Sequence, residues 1–372
     1  MERRVSMKVL LAGGGTAGHI NPAIAIANEI KNRRPDAQFL FVGTPWGMEN
    51  DLVPKAGYPI EHITVKGFQR REWWKNFDTA ACLMKSFGQT KKLFQRFQPD
   101  LVIGTGGYVS GPVLYVGAKR GCKTAIHEGD AFPGLTTRIL EKYVDKVMIS
   151  FDESRQYFKH PEKLVLTGNP VREEFLHADQ KRARRELGIG PEPFLLSVGG
   201  SLGALKINQS IQDFILENCK TDRYWHYHGA GKDGYSWLPG KLKEEGVRLE
   251  EHPRTKIQPY IYNMPTVMAA CDLMVCRCGA VTLTELELLG KPAILIPSPN
   301  VTNNHQYHNA RALSDKGAAV LLEEKDLTPQ KLTRTIRDLL DHPEKLEAMS
   351  REAKKLAIPD SNQRIYDLVT SL

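Results

Sequence analysis

Several patterns that would decide the class of this 372-residue sequence at once are missing from it. Its six cysteines form no CxxC pair and no disulfide-like spacing, and Cys276 and Cys278 have too few further ligands nearby for a zinc site. No apolar run approaches the roughly 20 residues that span a bilayer, and the first residues lead into a strand-like run without a signal-peptide core. We therefore expect a cytoplasmic protein with reduced thiols and no metal site.

The composition is ordinary for a soluble globular protein, with 41% hydrophobic and 25% charged residues, which excludes disordered, collagen-like and coiled-coil chains. Basic residues outnumber acidic ones by 51 to 43, a net charge of +8. Residues 1–170 hold all of this excess, with 24 basic and 16 acidic side chains, whereas residues 171–372 hold 27 of each. Residues 66–98 alone hold eight basic and two acidic side chains. Such a segment is compatible with nucleic acid, an anionic membrane surface or a phosphorylated substrate.

Short apolar runs alternate with helical stretches along almost the whole chain, which predicts the α/β class with parallel sheets covered on both faces. The length fits two domains, and two series of runs predict two doubly wound domains that join near residues 168–172. The first series is 8–12, 39–43, 60–65, 101–104, 124–127, 146–150 and 164–167. The second series is 194–198, 225–228, 247–250, 273–276, 293–296 and 319–321.

The first predicted strand is followed by a glycine-rich loop, in which Gly13, Gly15 and Gly18 match the pattern GxGxxG. Asn21 suits the N-cap of the next helix, and Pro22 suits its first position. Such a loop presents backbone N–H groups at the positive end of a helix, so we expect it to bind a phosphate group.

A dinucleotide site is the most direct interpretation of this loop, but it needs an acidic residue at the end of the second strand for the ribose. The run 39–43 is followed by Thr44-Pro-Trp, and no carboxylate occurs before Glu49. This absence disfavours a nicotinamide or flavin oxidoreductase. His19 directly follows the loop, where it serves either as a capping or packing residue or as a base, since its reference pKa is near neutral.

Further polar segments follow other predicted strands. Residues 104–112 form a second glycine-rich loop and residues 127–130 end the next strand, which places both at one sheet edge of the first domain. In the second half, residues 279–285 begin a helix in which Glu285 either accepts ribose hydroxyls or is a solvated helix residue. Residues 303–309 gather amides and imidazoles, which suit sugar hydroxyls better than zinc.

These segments together resemble the MurG family, the UDP-N-acetylglucosamine transferases of glycosyltransferase family 28 that act on undecaprenyl-diphospho-muramoyl-pentapeptide. The resemblance covers nearly the whole chain. The motifs that carry it, in the family's order, are residues 14–19, 106–112, 168–172, 199–201, 276–280 with Glu285, and 304–306 with Asn309. It implies a GT-B fold, in which two Rossmann-like doubly wound domains face across a cleft. Residues 1–168 and a returning helix at about 345–372 would form the acceptor- and membrane-binding domain, and residues 169–344 the donor domain.

The resemblance also implies a role for each matching position. His19 would be the catalytic base, with Glu128 as the second choice. Arg172 and Ser201 would hold phosphates, Ile261 would meet the uracil through its backbone, and Gln306 would bind sugar hydroxyls. The full set implied for the donor is Thr16, Ala17, Gly18, Asp130, Arg172, Ser201, Ile261, Ala280, Val281, Thr282, Leu283, Thr284, Glu285 and Gln306. The set implied for the acceptor is Gly106, Gly107, Tyr108 and Ser110.

The sequence departs from the family pattern at three places. Asp130 replaces an amide expected to contact substrate, the loop 201–205 lacks an arginine often found at its end, and Cys278 stands where serine or alanine is common. No Asp-x-Asp pair occurs, with which many glycosyltransferases hold the diphosphate through a divalent cation. We therefore expect helix N-termini and an arginine to neutralise the diphosphate, with no metal or other cofactor.

The implied reaction belongs to peptidoglycan synthesis. It is the inverting transfer of N-acetylglucosamine from UDP-N-acetylglucosamine to the C4 hydroxyl of the muramoyl sugar of an undecaprenyl-diphosphate-linked acceptor. The alternatives are a related GT-B enzyme that glycosylates diacylglycerol and a non-catalytic nucleotide-sugar-binding relative.

A lipid-linked acceptor requires contact with a membrane surface, and the basic segment 66–98 carries apolar residues at near-helical spacing. The residues predicted to contact the membrane are Trp73, Trp74, Phe77, Met84 and Phe87, although the same spacing also fits a helix packed on the sheet. Each basic residue near anionic lipid contributes about 1 kcal/mol. We therefore expect a peripheral protein at the cytoplasmic face of the cell membrane, with no nucleic-acid partner.

Overall fold

The computed structural model describes residues 6–67, 76–200 and 203–372, and the side chains of residues 76–78 lie outside this description. The chain forms two compact units. The first comprises Met1–Val171 and Asp360–Leu372, and the second comprises Arg172–Pro359. Each unit contains one parallel sheet whose strands alternate with helices, so the predicted α/β class with two doubly wound domains is confirmed.

A central strand of the sheet in the first unit is buried on both faces. Its strands are β1 (Lys8–Ala12), β2 (Gln38–Gly43), β3 (Ile60–His62), β4 (Leu101–Gly104), β5 (Lys123–Glu128), β6 (Lys146–Ile149) and β7 (Leu164–Leu166). Their order in the sheet is β3-β2-β1-β4-β5-β6-β7. In β1, Val9 and Leu11 enter one hydrophobic cluster whereas Leu10 and Ala12 enter the cluster on the opposite face. Both faces are therefore buried, as expected for a parallel sheet.

Helices cover the two faces of this sheet. They are α1 (Ala17–Arg33), α2 (Glu49–Lys55), α3 (Asn76–Phe97), α4 (Ser110–Lys119) and α5 (Leu135–Leu140). Ile20 and Ile26 of α1 pack with Val9 and Leu11. The side chains of α3 and α4 belong to the cluster on the other face.

The second unit repeats this arrangement with a six-stranded sheet. Its strands are β8 (Phe194–Val198), β9 (Trp225–Gly229), β10 (Thr255–Gln258), β11 (Leu273–Cys276), β12 (Ala293–Leu295) and β13 (Ala319–Leu321), in the order β10-β9-β8-β11-β12-β13. Its helices are α6 (Glu173–Leu176), α7 (Gln180–Leu187), α8 (Leu205–Asn218), α9 (Gly231–Tyr235), α10 (Leu238–Glu244), α11 (Met264–Ala270), α12 (Ala280–Leu289), α13 (His305–Ser314), α14 (Pro329–Leu340) and α15 (Pro343–Leu356).

The C-terminal segment is divided between the units at a different place from the prediction. The predicted returning segment begins at about residue 345, but α15 packs on α12 and α14, and its Met349 is part of the core of the second unit. Only the last helix, α16 (Ser361–Ser371), belongs to the first unit, where Ile365 and Val369 pack with α1. The structure also places the division after Val171, rather than after residue 168.

One predicted strand is wrong. Residues 247–250 form no strand, and the segment Leu249–Glu251 is a turn of 3-10 helix instead. The edge strand is β10, in which Thr255 and Ile257 are buried and Lys256 and Gln258 are exposed. All six cysteines are free thiols, four of them buried and two half-buried.

Candidate active site

The first glycine-rich loop ends in a helix that starts earlier than predicted. Thr16 has an extended backbone, and its carbonyl accepts from the N–H groups of His19 and Ile20, so α1 begins at Ala17. The prediction that Asn21 caps the helix and that Pro22 opens it is wrong, since both lie inside α1. Because Pro22 has no N–H, it cannot donate to the Gly18 carbonyl oxygen four residues earlier, in the preceding turn. As a result, His19 belongs to the first turn of α1, and does not precede it.

His19 is held by the loop that precedes it. Its Nδ1 lies 3.1 Å from the carbonyl oxygen of Gly14 and 3.4 Å from Oγ1 of Thr16. A carbonyl oxygen only accepts, so the hydrogen bond to Gly14 requires the proton of the neutral imidazole to be on Nδ1. Nε2 then carries the lone pair. The geometry therefore gives His19 the tautomer of a base whose reactive nitrogen is Nε2.

The second glycine-rich loop packs directly against the first. Gly106 has a φ of +107°, and a Cβ there would lie 2.5 Å from Cδ2 and 2.9 Å from Nε2 of His19. A Cβ on Gly107 would lie 2.5 Å from the Gly14 carbonyl oxygen. Thr105 Oγ1 donates to the His19 carbonyl oxygen over 2.7 Å. Glycine is thus required at both positions by the space that the His19 loop occupies.

The other residues predicted for the acceptor lie in different environments. Ser110 is fully buried, and its hydroxyl lies within hydrogen-bonding distance of the carbonyl oxygens of Ala12 (2.9 Å) and Gly106 (2.8 Å). Its side chain holds the loop, and its assignment as an acceptor contact stays a prediction. Tyr108 is exposed, and its ring lies where a Cβ on Gly67 would be.

Glu128 is a second ionisable group near neutrality in the first unit. It ends β5, and its Oε2 accepts from the N–H of Gly134 over 2.9 Å. Burial and the neighbouring charge of Asp130 raise the pKa of Glu128 to about 7, against the hydrogen bonds from Thr137 and the loop. The half-buried Asp130 therefore acts on Glu128 electrostatically, an effect that an amide at this position would not have.

In the second unit, two residues predicted to bind different parts of the donor contact each other. Arg172 Nη2 lies 3.0 Å from Oε1 of Glu285, which sits in the second turn of α12. The Arg172 guanidinium also lies 4.7 Å from the centre of the Phe175 ring. Burial raises the pKa of Glu285, although the charge of Arg172 opposes this shift.

Gln306 joins two loops through its side-chain carbonyl. Its Oε1 accepts from the backbone N–H groups of Ser298 at 2.9 Å and Cys278 at 3.3 Å. Two donors at one atom fix the orientation of the amide, so the NH₂ group points the other way. Any contact of Gln306 with a sugar hydroxyl is therefore made by donation. Asn309 Nδ2 supports the same loop by donating to the Cys278 carbonyl oxygen over 3.1 Å.

The remaining donor residues divide into half-exposed and buried positions. Ala280, Val281 and Thr282 form the half-exposed first turn of α12, and Ile261 is nearly buried. Leu283 is fully buried, and Thr284 Oγ1 donates to the Ala280 carbonyl oxygen, so their side chains are turned into the protein. Their assignment to the donor site stays a prediction. In the first unit, Thr16 and Gly18 are exposed and Ala17 is half-buried.

Several of the predicted residues cannot be placed. Ser201, Trp73 and Trp74 lie outside the described residues, as does the side chain of Phe77. Met84 is 71% exposed on α3. Phe87 is half-buried, with its ring 5.5 Å from that of Tyr115. Phe87 therefore packs on α4, which corrects its assignment to a membrane-facing surface.

The described residues contain neither a cluster of metal ligands nor a helix that could span a membrane. Among them, no three His, Cys, Asp or Glu side chains come together as a possible metal site. No helix in this part of the chain combines the length and the apolar character that a membrane span requires.

Sequence reasoning missed one residue of this region. In the sequence, Glu49 is noted only as a carboxylate that lies too far after the second strand to bind the ribose of a dinucleotide. In the structure its Oε2 accepts from the N–H of Gly15 over 3.0 Å, so it contacts the first glycine-rich loop. The apolar run before Thr44 and the glycine at position 47 are the sequence features that go with this approach of Glu49 to the loop. Neither feature predicts the contact with Gly15.

Comparison with known proteins gives a consistent assignment. The models of the glycosyltransferase family 28 N-terminal and C-terminal domains match residues 9–149 and 194–365. The UDP-N-acetylglucosamine--N-acetylmuramyl-(pentapeptide) pyrophosphoryl-undecaprenol N-acetylglucosamine transferase of Ruminiclostridium cellulolyticum is 46% identical over 98% of this chain and 100% of its own length. The protein of the same name from Acetivibrio thermocellus is 44% identical over 98% of each chain.

A solved structure agrees with these relatives. The crystal structure of MurG from Acinetobacter baumannii matches with a TM-score of 0.79 and 26% identity, over 98% of this chain and 100% of that one. Two Rossmann-like units and this match give the GT-B fold. The resemblance drawn from the sequence motifs is thus confirmed, and the chain belongs to the MurG family of UDP-N-acetylglucosamine transferases within glycosyltransferase family 28.

Proposed function

We propose that this protein transfers N-acetylglucosamine from UDP-N-acetylglucosamine to the C4 hydroxyl of the muramoyl sugar in undecaprenyl-diphospho-N-acetylmuramoyl-pentapeptide, with inversion at the anomeric carbon. The names of the relatives supply the donor and the acceptor. The observation that carries the proposal is the hydrogen bond from His19 Nδ1 to the Gly14 carbonyl oxygen at 3.1 Å. It leaves Nε2 as the nitrogen that can accept a proton.

The chemistry assigned to His19 is general base catalysis. As the acceptor oxygen forms its bond to the anomeric carbon, the C4 hydroxyl proton moves to Nε2 of His19. The bond from that carbon to the diphosphate oxygen breaks on the opposite face, through an oxocarbenium-like transition state, and UDP leaves with the electron pair. A positioned base of this kind contributes about 10² to 10⁴-fold.

The second unit supplies the groups for the donor. The first N–H groups of α12 have no carbonyl acceptor within the helix, and this helix end attracts the diphosphate. Arg172 and Ser201 would add charge and a hydroxyl donor. Glu285 would accept from the ribose hydroxyls, and Ile261 would meet the uracil through its backbone. The NH₂ group of Gln306, whose carbonyl is engaged by two backbone donors, would donate to a sugar hydroxyl.

Glu128 is the second candidate for the base. Its pKa, raised to about 7 by burial and by Asp130, allows it to exchange a proton near neutral pH. His19 remains the first choice because its contact with the Gly14 carbonyl oxygen is made by Nδ1, which puts the lone pair on Nε2, whereas both carboxylate oxygens of Glu128 accept backbone N–H groups. Donor binding in this scheme uses no metal or other cofactor.

The protein would meet its lipid-linked acceptor at the cytoplasmic face of the cell membrane, as a peripheral protein. On α3, Lys85, Lys91 and Lys92 are exposed together with Met84. Their charges would attract anionic lipid. Trp73 and Trp74 stay predicted membrane contacts outside the described residues.

A substrate-choice experiment tests the proposal. Labelled UDP-N-acetylglucosamine and UDP-glucose are each offered with a muramoyl-diphospho-lipid analogue or with diacylglycerol, and transfer of label is measured. We expect transfer only from UDP-N-acetylglucosamine to the diphospho-lipid. Glycosylated diacylglycerol would establish the related lipid enzyme instead. Tight binding of UDP without transfer to either acceptor would establish the non-catalytic relative.

A further inference from the structure

The carboxyl group of Glu49 is fully buried beside the first glycine-rich loop. It opens α2, and its two oxygens accept three hydrogen bonds. Oε1 accepts from the N–H of Thr44 at 2.8 Å and from Oγ1 of Thr44 at 2.9 Å, while Oε2 accepts from the N–H of Gly15 at 3.0 Å. A buried carboxylate with this many donors is a specific arrangement, because burying it without partners is very costly.

The surrounding turns leave space for this group by having no side chains there. A Cβ on Gly14 would lie 2.8 Å from Oε1 of Glu49, one on Gly43 would lie 2.5 Å from its Cγ, and one on Gly47 would lie 2.0 Å from Oε2. Three glycines from two loops therefore enclose one carboxylate. The phosphate-binding interpretation of Gly15 is weakened accordingly, because its N–H already has an anionic partner.

Glu49 is ionised at neutral pH. Burial alone would raise its pKa, but the hydrogen bonds from Thr44 and Gly15 outweigh burial and hold the pKa below its usual range. The ionisable side chains on the neighbouring turns are His19 on α1, the exposed pair of Asp51 with Lys55 on α2, and His62, which bonds to Asn50. The negative charge of Glu49 is thus permanent over the working range of a histidine base.

One peptide group connects this charge to His19. The N–H of the Gly14–Gly15 peptide donates to Glu49 Oε2 at 3.0 Å, and the carbonyl of the same peptide accepts from His19 Nδ1 at 3.1 Å. The peptide is planar and conjugated, and hydrogen bonds in a chain polarise one another. An anion at the N–H end therefore makes the carbonyl oxygen a stronger acceptor for the imidazole N–H.

We propose that Glu49 is a positioning residue for the base, acting through the Gly14–Gly15 peptide to hold His19 in its Nδ1–H tautomer and to keep Nε2 basic. The proposal rests on the function proposed above for His19. The role corresponds to that of the buried aspartate in serine hydrolases, which orients an imidazole and stabilises its cation. Here the carboxylate and the imidazole do not touch, and the peptide group between them transmits the effect.

The first test replaces Glu49 by glutamine, which keeps the shape and removes the charge. In either orientation of the amide the Gly15 contact weakens, because its N–H then faces either an NH₂ group or a neutral oxygen in place of a carboxylate. We expect kcat to fall about 10-fold or more, as for other residues that orient an active group, with KM for UDP-N-acetylglucosamine little changed. The acid limb of the profile of kcat/KM against pH should move to lower pH, because loss of the anion lowers the pKa of His19.

The matched control is Asp51→Asn, which neutralises an exposed carboxylate on the same helix and should leave kcat and the pH profile unchanged. A fall in kcat for Glu49→Gln with the acid limb unmoved would overturn the proposal, since it would indicate a residue that only holds the turn. So would full activity of Glu49→Gln.

A second measurement does not depend on activity, and its wild-type part does not depend on the Glu49 variant folding. Nitrogen-15 spectra of histidine-labelled wild-type protein report tautomers, and the His19 signal is identified by its loss in His19→Gln. We expect the Nδ1–H form in the wild type and a mixture in Glu49→Gln. A predominant Nε2–H form in the wild type would overturn the proposal. If His19→Ala keeps full kcat, the proposed function fails, while these spectra still decide whether Glu49 controls the His19 tautomer.

Discussion

Arg172 Nη2 lies 3.0 Å from Oε1 of Glu285, so the cation proposed for the diphosphate and the anion proposed for the ribose form an ion pair. The carboxylate is nearly buried and the guanidinium is half-exposed. Arginine can therefore turn toward another anion more easily than Glu285 can move. We infer that donor binding exchanges this ion pair for two contacts, one from Arg172 to phosphate and one from Glu285 to ribose hydroxyls.

Glu285→Gln should weaken donor binding by about 10-fold or more, because a hydrogen bond to a charged group contributes about 1.5–3 kcal/mol. Calorimetric titration with UDP measures the effect. Glu173→Gln is the control, since Glu173 is an exposed carboxylate close in sequence to Arg172, and it should leave the affinity unchanged. Equal affinities for the wild type and Glu285→Gln would remove Glu285 from the donor site.

Gly106→Ala should lower kcat while leaving UDP affinity unchanged, because the added methyl group would occupy the space of the His19 ring. The matched control is Gly121→Ala in the same unit. Gly121 also has a positive φ, at +74°, but open space around its Cβ position. Both variants carry backbone strain of about 1–2 kcal/mol, and Gly106→Ala adds the collision with His19, so its thermal unfolding should shift at least as far and only Gly106→Ala should lose activity. Similar activity in the two variants would contradict the assigned contact.

Buried histidines in the second unit form a hydrogen-bonded chain. Ser197 Oγ lies 2.8 Å from both His226 Nε2 and His228 Nδ1, and His228 Nε2 lies 3.1 Å from Asn208 Oδ1. Asn208 Nδ2 donates to the Ala230 carbonyl oxygen, so its Oδ1 accepts from His228. Burial lowers the pKa of His228 to about 4 and that of His226 well below its usual value.

These buried histidines should make the second unit less stable at acid pH. An unfolded histidine titrates near pH 6.5, so between about pH 6.5 and pH 4 the unfolded state binds a proton that buried His228 does not. The stability present above pH 6.5 is lost as the pH falls through this window. The difference in unfolding free energy between wild type and His228→Gln should therefore change by about 3 kcal/mol between about pH 6.5 and pH 4. Urea unfolding of both proteins at pH 7 and pH 4.5 measures this difference. The same pH dependence in wild type and His228→Gln would refute the lowered pKa of His228.

Replacing Lys85, Lys91 and Lys92 on α3 by glutamine should weaken binding to vesicles that contain anionic lipid, by about 1 kcal/mol for each charge that approaches the surface. Sedimentation with such vesicles measures binding, and high salt should release the wild type because it screens the charges. The control replaces three lysines of the second unit, Lys220, Lys241 and Lys243. Equal loss in both triple variants, or equal binding to neutral vesicles, would argue against a membrane-binding surface on α3.

Much of the fold follows from the sequence because buried parallel strands are apolar on both faces. The prediction of strands fails where a strand is not buried on both faces. Strand β10 lies at a sheet edge, and its alternation of buried Thr255 and Ile257 with exposed Lys256 and Gln258 produces no apolar run. The predicted start of α1 is wrong because Asn21 and Pro22 have the propensity of a helix start. The residue with extended backbone that precedes the helix is Thr16.

The candidate site is only partly predictable. The glycine loops and His19 are visible as motifs, because glycine marks positions where a side chain would collide. The tautomer of His19 depends on the carbonyl of Gly14, and the role of Glu49 depends on a contact 34 residues away in sequence. Side chains such as Ser110 and Leu283 match the motifs but are buried, and burial of this kind is set by packing that the motif does not contain.

The proposed reaction depends most on His19 as the base for transfer to the diphospho-lipid acceptor. The most direct test compares wild type with His19→Ala in single-turnover transfer from UDP-N-acetylglucosamine, with the dissociation constant of UDP measured for both. We expect a rate at least about 10²-fold lower in the variant and an unchanged dissociation constant. A His19→Ala protein that transfers the sugar at the wild-type rate would contradict this role of His19.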